Sequence, residues 1–462
     1  MKTETDYIYW YERWGGWGII ILASFIPVVR WFMLEGFSDR FSTVQSTLVA
    51  FGQVTGIIGF ILYAINMVLS IRMRWLESLF GGLNRVYIAH HITGGLAFIC
   101  ILFHPLFLAI RYIELSTLST LKDAGEFLLP KSLRFDGSYY ELQEAVAINN
   151  GIISFVLTVA LLILTFFIKL PYRIWLYTHK FLGIAFVFGG LHTIMVSSDV
   201  YGDAFLKVYM ALWLILGVIA YLYRTILGNL FVRRAPYKVE SVDTMSGGVI
   251  HINLIPMKKP IDFLAGQFVF IRFLWSNDKG VSNEAHPFSI ASSPNEPSGQ
   301  LRLFVKSLGD YTSTLKNIQK GTIAEVEGAF GKFIPQRYSM NPQIWIAGGI
   351  GITPFLSAAR SFSKDSPPVA MFYSVQTRSE LIDQEVLTEY LPKYYSQFSY
   401  FPYVNEEQDG FLNAQYINEH AKLINADIFL CGPPPMMKAM RSQLRALGVP
   451  NSRIHSEEFS MQ

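Results

Sequence analysis

A chain of 462 residues with 16% charged and 51% hydrophobic side chains is too apolar to be wholly soluble. Its formal net charge is only +3, and no basic run interleaved with aromatics occurs, which argues against a nucleic-acid partner. The two cysteines, Cys100 and Cys431, form no CxxC or CxxCH, so zinc ribbons, cysteine-ligated iron–sulfur clusters, covalently attached haem and a disulfide framework are all disfavoured.

The apolar excess lies before about residue 231. Six stretches there suit a hydrocarbon core of ~30 Å, which takes ~20 helical residues: 15–33, 47–71, 86–110, 147–168, 178–197 and 205–227. The first is preceded by no basic n-region and followed by no small-residue cleavage site, so it reads as a retained span. Lys and Arg concentrate on one side: Arg72, Arg74 and Arg85 between spans two and three, Lys169, Arg173 and Lys180 between four and five, and Arg224, Arg233 and Arg234 after six. Such loops stay cytoplasmic, so both termini are expected inside, with 111–146 as the one large external segment.

The third and fifth spans carry histidine, which is costly in an apolar span and marks function there. The third holds His90, His91 and His104; the fifth, reading HKFLGIAFVFGGLH, holds His179 and His192. Fourteen helical residues advance ~21 Å and return to within about 40° of the starting direction, so His90 and His104 share a face and His91 does not. The two spans echo each other, His90 and Gly94 falling on His179 and Gly183. Two histidines on each of two helices can clamp two b-type haems, His90 with His179 and His104 with His192. Gly94, Gly95 and Gly183 are expected to admit a flat macrocycle. Because His179 and His192 are thirteen apart, about 140° out of phase on a straight helix, a distortion is required, expected near Gly189–Gly190. A metal-transport site is the competing reading, weakened by the lack of acidic residues beside these histidines.

Beyond Pro236 the pattern changes to short strand-like runs: YKVESVDTM, GVIHINLIP, GQFVFIRFLW, HPFSIASSP, LRLFVKSL and TIAEVEGAF. These predict a small antiparallel barrel over 236–337. From about 341 strands alternate with helical stretches, predicting a parallel α/β sheet to residue 462. His286, Pro287, Phe288 and Ser289 offer an aromatic, a hydroxyl and polar donors to a flavin, and Thr312 follows a glycine turn suited to phosphate oxygens. Gly349, Gly351, Thr353 and Pro354 follow a buried strand and open a helix, the context in which backbone N–H groups cradle a pyrophosphate. Cys431 ends another strand, where it can line a nicotinamide site, and Phe459 is an aromatic able to stack on a flavin.

AGQF, HPFSI, LGDYT, EGAFG, GGIGITPF, CGPPPM and the terminal EEF occur in an order that, with the paired histidines, resembles the NADPH oxidase and ferric reductase superfamily over nearly the whole chain. The resemblance implies a bacterial-type transmembrane flavocytochrome b in the cell membrane. Residues 1–231 would form a six-helix ferric-reductase-like haem domain, 236–337 a β-barrel FAD domain and 341–462 a ferredoxin-NADP reductase-like NAD(P)H domain. It implies that His286, Pro287, Phe288, Ser289 and Thr312 bind FAD, that Gly349, Gly351, Thr353, Pro354 and Cys431 serve the nicotinamide dinucleotide, and that Phe459 covers the flavin, with Cys431 and Phe459 at the reacting ring. Ser374 and Arg378 are candidates for a 2′-phosphate, so NADPH is expected, with NADH the alternative. Electrons would pass through FAD and two haems to an outer acceptor, oxygen giving superoxide, or alternatively a ferric or other metal chelate. A different class of reading is a haem-anchored relay that docks a protein partner. Two positions depart from animal oxidases: Leu108 stands where they carry a further His, and Gln53 where relatives often carry Arg. Gln376 likewise replaces an Arg common in relatives.

Overall fold

The computed structural model describes residues 4–110, 125–126, 128–133, 138–274, 280–335, 341–382, 396–408, 410–423 and 425–456. These form two compact units, Met1–Gly81 with Arg85–Val232, and Gly82–Asn84 with Arg233–Gln462.

Among the described residues the first unit contains six helices long and apolar enough to cross a membrane: Trp14–Leu34, Val44–Leu69, Leu83–Ile110, Tyr139–Phe166, Ile174–Met195 and Ala204–Ile226. Five begin and end close to the stretches expected from hydropathy. The fourth starts eight residues earlier than expected, because Ser138 and Glu141 cap it reciprocally: Glu141 N–H donates to Ser138 Oγ (3.3 Å) and Ser138 N–H to Glu141 Oε2 (3.1 Å). Its polar first turns hide it from hydropathy, so residues 139–146, expected to be part of an external segment, are helix. Most of the remainder, 111–124, 127 and 134–137, lies outside the described residues.

In chain order the described helices as far as Tyr221 are α1 (Glu4–Leu34), α2 (Phe37–Arg40), α3 (Val44–Leu69), α4 (Arg74–Phe80), α5 (Leu83–Ile110), α6 (Tyr139–Phe166), α7 (Tyr172–Lys180), α8 (Leu182–Met195), α9 (Asp199–Gly202) and α10 (Ala204–Tyr221). α3 is the hub: 56% of its apolar window is buried, against 17–28% in the other spans. Helices in lipid gain no hydrophobic drive towards one another, so close packing and polar cross-links hold them. Tyr63 OH donates to Leu182 O (2.7 Å), Ser154 Oγ to Ala185 O (2.8 Å) and Tyr209 OH to Ala23 O (2.8 Å). At one end the buried Arg40 guanidinium lies 3.6 Å over the Trp31 ring, donates to Trp31 O (2.9 Å) and pairs with Asp199 (3.0 Å). That single cation ties α1, α2 and α9 together.

The second unit opens with a six-stranded antiparallel sheet, order β4-β3-β6-β1-β2-β5, built from β1 (Ala235–Thr244), β2 (Val249–Pro256), β3 (Phe268–Phe273), β4 (His286–Ser289), β5 (Leu301–Lys306) and β6 (Ile323–Phe330). Alternating burial along β1 and β2 sends Tyr237, Val239, Ile250, Ile252 and Leu254 into one core. Ala291 N–H donates to Arg302 O (2.9 Å), drawing the edge strands towards each other so that the sheet is nearly a closed barrel. A parallel five-stranded sheet follows, order β11-β10-β7-β8-β9: β7 (Gln343–Gly348), β8 (Val369–Val375), β9 (Phe398–Val404), β10 (Asp427–Cys431) and β11 (Ile454–Ser456). Its central strand β7 is buried along its whole length, as a doubly covered parallel strand should be. The short β11 lacks a strand-like run in the sequence and is recruited by pairing with β10.

Candidate functional site

α5 and the α7–α8 pair bring four histidines together as two pairs. The ring centroids of His90 and His179 are 6.1 Å apart, as are those of His104 and His192. Two metal–nitrogen bonds of about 2 Å, plus roughly 1.1 Å from each nitrogen to its ring centre, give about 6.2 Å for two imidazoles ligating one ion from opposite sides. His91 is exposed and takes no such place.

Ring orientation follows from the partners. His104 Nδ1 lies 2.7 Å from Gly52 O, His192 Nδ1 2.9 Å from Ala147 O, and His90 Nδ1 3.2 Å from Asn66 O. A carbonyl oxygen only accepts, so these three Nδ1 atoms carry the proton and each Nε2 keeps its lone pair. Carbonyl-tethered histidine of this kind is the usual form of a metal ligand. His179 differs: its Nδ1 is buried with no hydrogen-bond partner among the described residues, and its ring stacks on Trp175 one turn earlier, centroids 5.2 Å apart.

The tethers need space on the neighbouring helices. A Cβ at Gly56 would stand 2.7 Å from His104 Nδ1, and one at Gly151 2.6 Å from His192 Nδ1. Sequence reasoning passed over both, although Gly52, Gly56 and Gly59 form a visible stripe on α3. The glycines it singled out behave otherwise. A Cβ at Gly94 would meet Asn66 Nδ2 at 2.8 Å and one at Gly183 the Tyr221 ring at 2.2 Å, so both serve helix packing; only Gly95 has open space beside it.

The thirteen-residue spacing is eased at Phe181, not at Gly189–Gly190. The fifth span breaks there into α7 and α8: Phe181 N–H donates to Thr178 O (3.1 Å) and Ile184 N–H to Phe181 O (2.9 Å). Bonds three residues apart turn the chain about 120° per residue instead of 100°. Three or four such residues recover about 60–80° of the mismatch.

In the barrel, His286 stacks on Tyr311 with centroids 3.6 Å apart, and its Nε2 lies 3.5 Å from Glu284. Burial pushes His286 below the ordinary imidazole range against the opposing pull of Glu284, so it is neutral at pH 7. Phe288 is buried in the barrel core, while Pro287 and Ser289 fall on the other face of β4. The Thr312 hydroxyl accepts from the N–H groups of Leu308 and Gly309 (both 3.0 Å), so it is spent on shaping its own turn.

In the parallel sheet, Gly349 has φ +53° with open space beside it, the conformation a phosphate-cradling turn demands. Gly351, Thr353, Pro354 and Cys431 are buried behind it. A Cβ at Gly351 would stand 2.4 Å from Cys431 O, so that glycine lets the ends of β7 and β10 pack together. Cys431 itself is 0% exposed and belongs to the sheet's core. A cleft of about 530 Å³ opens at the carboxyl ends of β7, β8 and β10, lined by Gly348, Gly349, Ser374, Glu380, Asn405 and Pro433 among others. Ligands bind in that crevice in open parallel sheets. Lys306, Glu380 and Asn405 were not anticipated from sequence. Arg378, the candidate phosphate cation, is held by both Glu407 oxygens at 2.6 and 2.5 Å. Phe459 lies outside the described residues.

Three family models match the chain: a ferric reductase like transmembrane component over 55–190, an FAD-binding domain over 234–331 and an oxidoreductase NAD-binding domain over 345–442. Among curated proteins, the chain is 28% identical over 222 residues to the anthranilate 1,2-dioxygenase electron transfer component of Acinetobacter baylyi, covering 46% of this chain and 62% of that protein. It is 28% identical over 238 residues to the 2-halobenzoate 1,2-dioxygenase electron transfer component of Burkholderia cepacia, covering 48% and 67%. This chain thus spans about two thirds of those relatives' length. Among solved structures, a flavohemoglobin from Malassezia yamatoensis aligns at TM-score 0.47 and 18% identity, covering 90% of this chain and 97% of that one.

Proposed function

Because the chain has the architecture of the NADPH oxidase and ferric reductase superfamily, a ferric-reductase-like transmembrane domain followed by FAD- and NAD-binding reductase domains, we propose that it is a transmembrane oxidoreductase. In this reading electrons pass from a cytoplasmic nicotinamide dinucleotide through FAD and two b-type haems to oxygen on the outer side, giving superoxide. The observation that carries it is the repetition of one geometry, two histidine pairs with centroids 6.1 Å apart on the same two spans.

The residues present fit the groups. His90 with His179, and His104 with His192, would hold one haem each through Nε2. When bound, FAD would supply the conversion of a two-electron hydride into single electrons, and the haems a one-electron route onward. The chain's own part is to hold and orient. Gly52 O, Asn66 O and Ala147 O fix the Nδ1–H tautomer of three ligands. The hub helix α3 carries two of those carbonyls, so both centres are indexed to one rigid element. In the reductase unit Gly349 shapes the turn at the pyrophosphate position, and the buried shelf of Gly351, Thr353 and Cys431 backs the cleft. In this reading the Lys/Arg-rich loops face the cytoplasm, which makes the His90–His179 pair the inner one.

A second reading, reduction of a ferric chelate, is favoured by the surroundings of the His104–His192 pair. Leu108 lies one turn from His104 against Gly52, and the Gln53 side-chain Oε1 already accepts from Trp31 Nε1 (3.2 Å) and Arg40 Nη1 (3.4 Å). The test is purified full chain loaded with FAD and haem. Two low-spin b-type signals and dismutase-sensitive cytochrome c reduction are expected. Ferric chelate reduction without superoxide would move the assignment to the second reading, and failure to take up haem would overturn both.

A further inference from the structure

The cleft at the ends of β7, β8 and β10 discriminates at its ribose corner. Resting on the reading of that cleft as a dinucleotide site, we propose that the physiological donor is NADH and that Glu380 and Glu407 enforce the choice.

In a βαβ dinucleotide unit the residues at the end of the second strand meet the adenosine ribose. A carboxylate there accepts from the 2′-hydroxyl, whereas an available Arg accommodates a 2′-phosphate. Here β7 and the helix Thr353–Arg360 are the first part of the unit, and β8 ends at Val375. The turn that follows carries Gln376, Arg378 and Glu380, and the end of β9 brings Asn405 and Glu407 alongside.

The described cations at this corner are engaged. Arg378 is held in a bidentate pair by Glu407, and Lys306 lies 3.1 Å from Glu380 Oε1. The pairing with Arg378 holds the Glu407 carboxyl below the ordinary carboxylate range, so it stays ionised at neutral pH. The neighbouring Glu406 adds a third carboxylate to two cations. Between these pairs runs a neutral network: Ser374 Oγ–H donates to Asn405 Oδ1 (3.2 Å) and Asn405 Nδ2 to Gln376 Oε1 (3.2 Å). A 2′-phosphate dianion would have to displace one carboxylate from a matched fork and sit beside another. A 2′-hydroxyl needs only an acceptor, which Glu380 at the cleft wall provides.

The test uses the full chain in detergent, loaded with FAD, with ferricyanide as acceptor. Like-charge contact disfavours a bound dianion, so kcat/KM for NADH should exceed that for NADPH by about tenfold or more. Glu407→Gln releases Arg378 and is expected to narrow the ratio by lowering the KM for NADPH. Glu380→Gln should narrow it from the other side, by raising the KM for NADH. A purely structural role for either carboxylate would change both nucleotides alike. NADPH preference in the parent chain, or an unchanged ratio in both variants, overturns the inference while leaving the oxidoreductase reading intact. Flavin bleaching by neither nucleotide overturns both.

Discussion

The two histidine pairs share a centroid distance and differ in how it is held. In the His104–His192 pair each ring has its own carbonyl, Gly52 O or Ala147 O, and its own glycine seat, Gly56 or Gly151. In the His90–His179 pair, among the described residues, only His90 is tethered, and at a longer 3.2 Å. His179 relies on the face of Trp175 and on the break at Phe181. One centre is positioned by hydrogen bonds to two neighbouring helices, the other half by hydrogen bonding and half by stacking. A separation can be repeated along a bundle without repeating the devices that fix it.

On the proposed haem-binding reading, the largest effects should come from removing one of the paired histidines outright. His104→Leu is expected to abolish one of two b-type signals and to cut reduction of the final acceptor by about 100-fold or more, since even changes behind a ligand cost 10–100-fold. Flavin bleaching by the nicotinamide nucleotide should survive, because no residue of the reductase unit is touched. His90→Leu should remove the other signal with the same outcome at the flavin. Reduced-minus-oxidised spectra and stopped-flow flavin bleaching check both. If either variant lost flavin bleaching while folded, the separation into a haem-holding and a flavin-holding unit would be wrong.

Next in size is the glycine seat. Gly56→Ala puts a methyl where His104 Nδ1 now lies 2.7 Å away, and an imidazole ring cannot yield as the end of a flexible chain can. The variant should weaken haem at the His104–His192 pair by about 10–100-fold, the range for lost support behind a ligand, and leave the other b-type signal alone. Gly18→Ala is the control, since a Cβ there meets nothing within 4 Å. Equal loss of both signals would mean that the glycine serves the packing of α3 as a whole.

These devices were not equally legible in the sequence. The pairing of His90 with His179 and His104 with His192 could be read because helical phase and an internal echo are periodic, and the six strand-like runs became β1–β6 because alternation is local. Phe181 could not be read: a tightened turn without Gly or Pro leaves no local signature. Gly56 and Gly151 were hidden because each acts on a residue more than forty positions away, and a glycine in an apolar span reads first as packing. Glu407 neutralises an Arg twenty-nine residues earlier through adjacent strand ends, so the candidate phosphate cation looked available until the sheet order was known. Cys431 and Phe288 were singled out for chemistry, yet both side chains are buried in cores.

The smallest effect separates side chain from backbone at the half-tethered pair. Asn66 contributes twice: its carbonyl accepts from His90 Nδ1, and its Nδ2 donates to His90 O (2.6 Å) and Thr93 Oγ1 (3.1 Å). Asn66→Ala deletes the second contribution and keeps the first. Interhelical hydrogen bonds in membranes are worth about 0.6–1.7 kcal/mol, so the variant should lower the thermal midpoint by only a few degrees. The His90–His179 signal should persist, because the tether on the ring is main chain. Loss of that signal would show that the amide sets the position of α5, and through it the ring. The less tethered centre would then depend on a side chain for what the other takes from glycine and backbone alone.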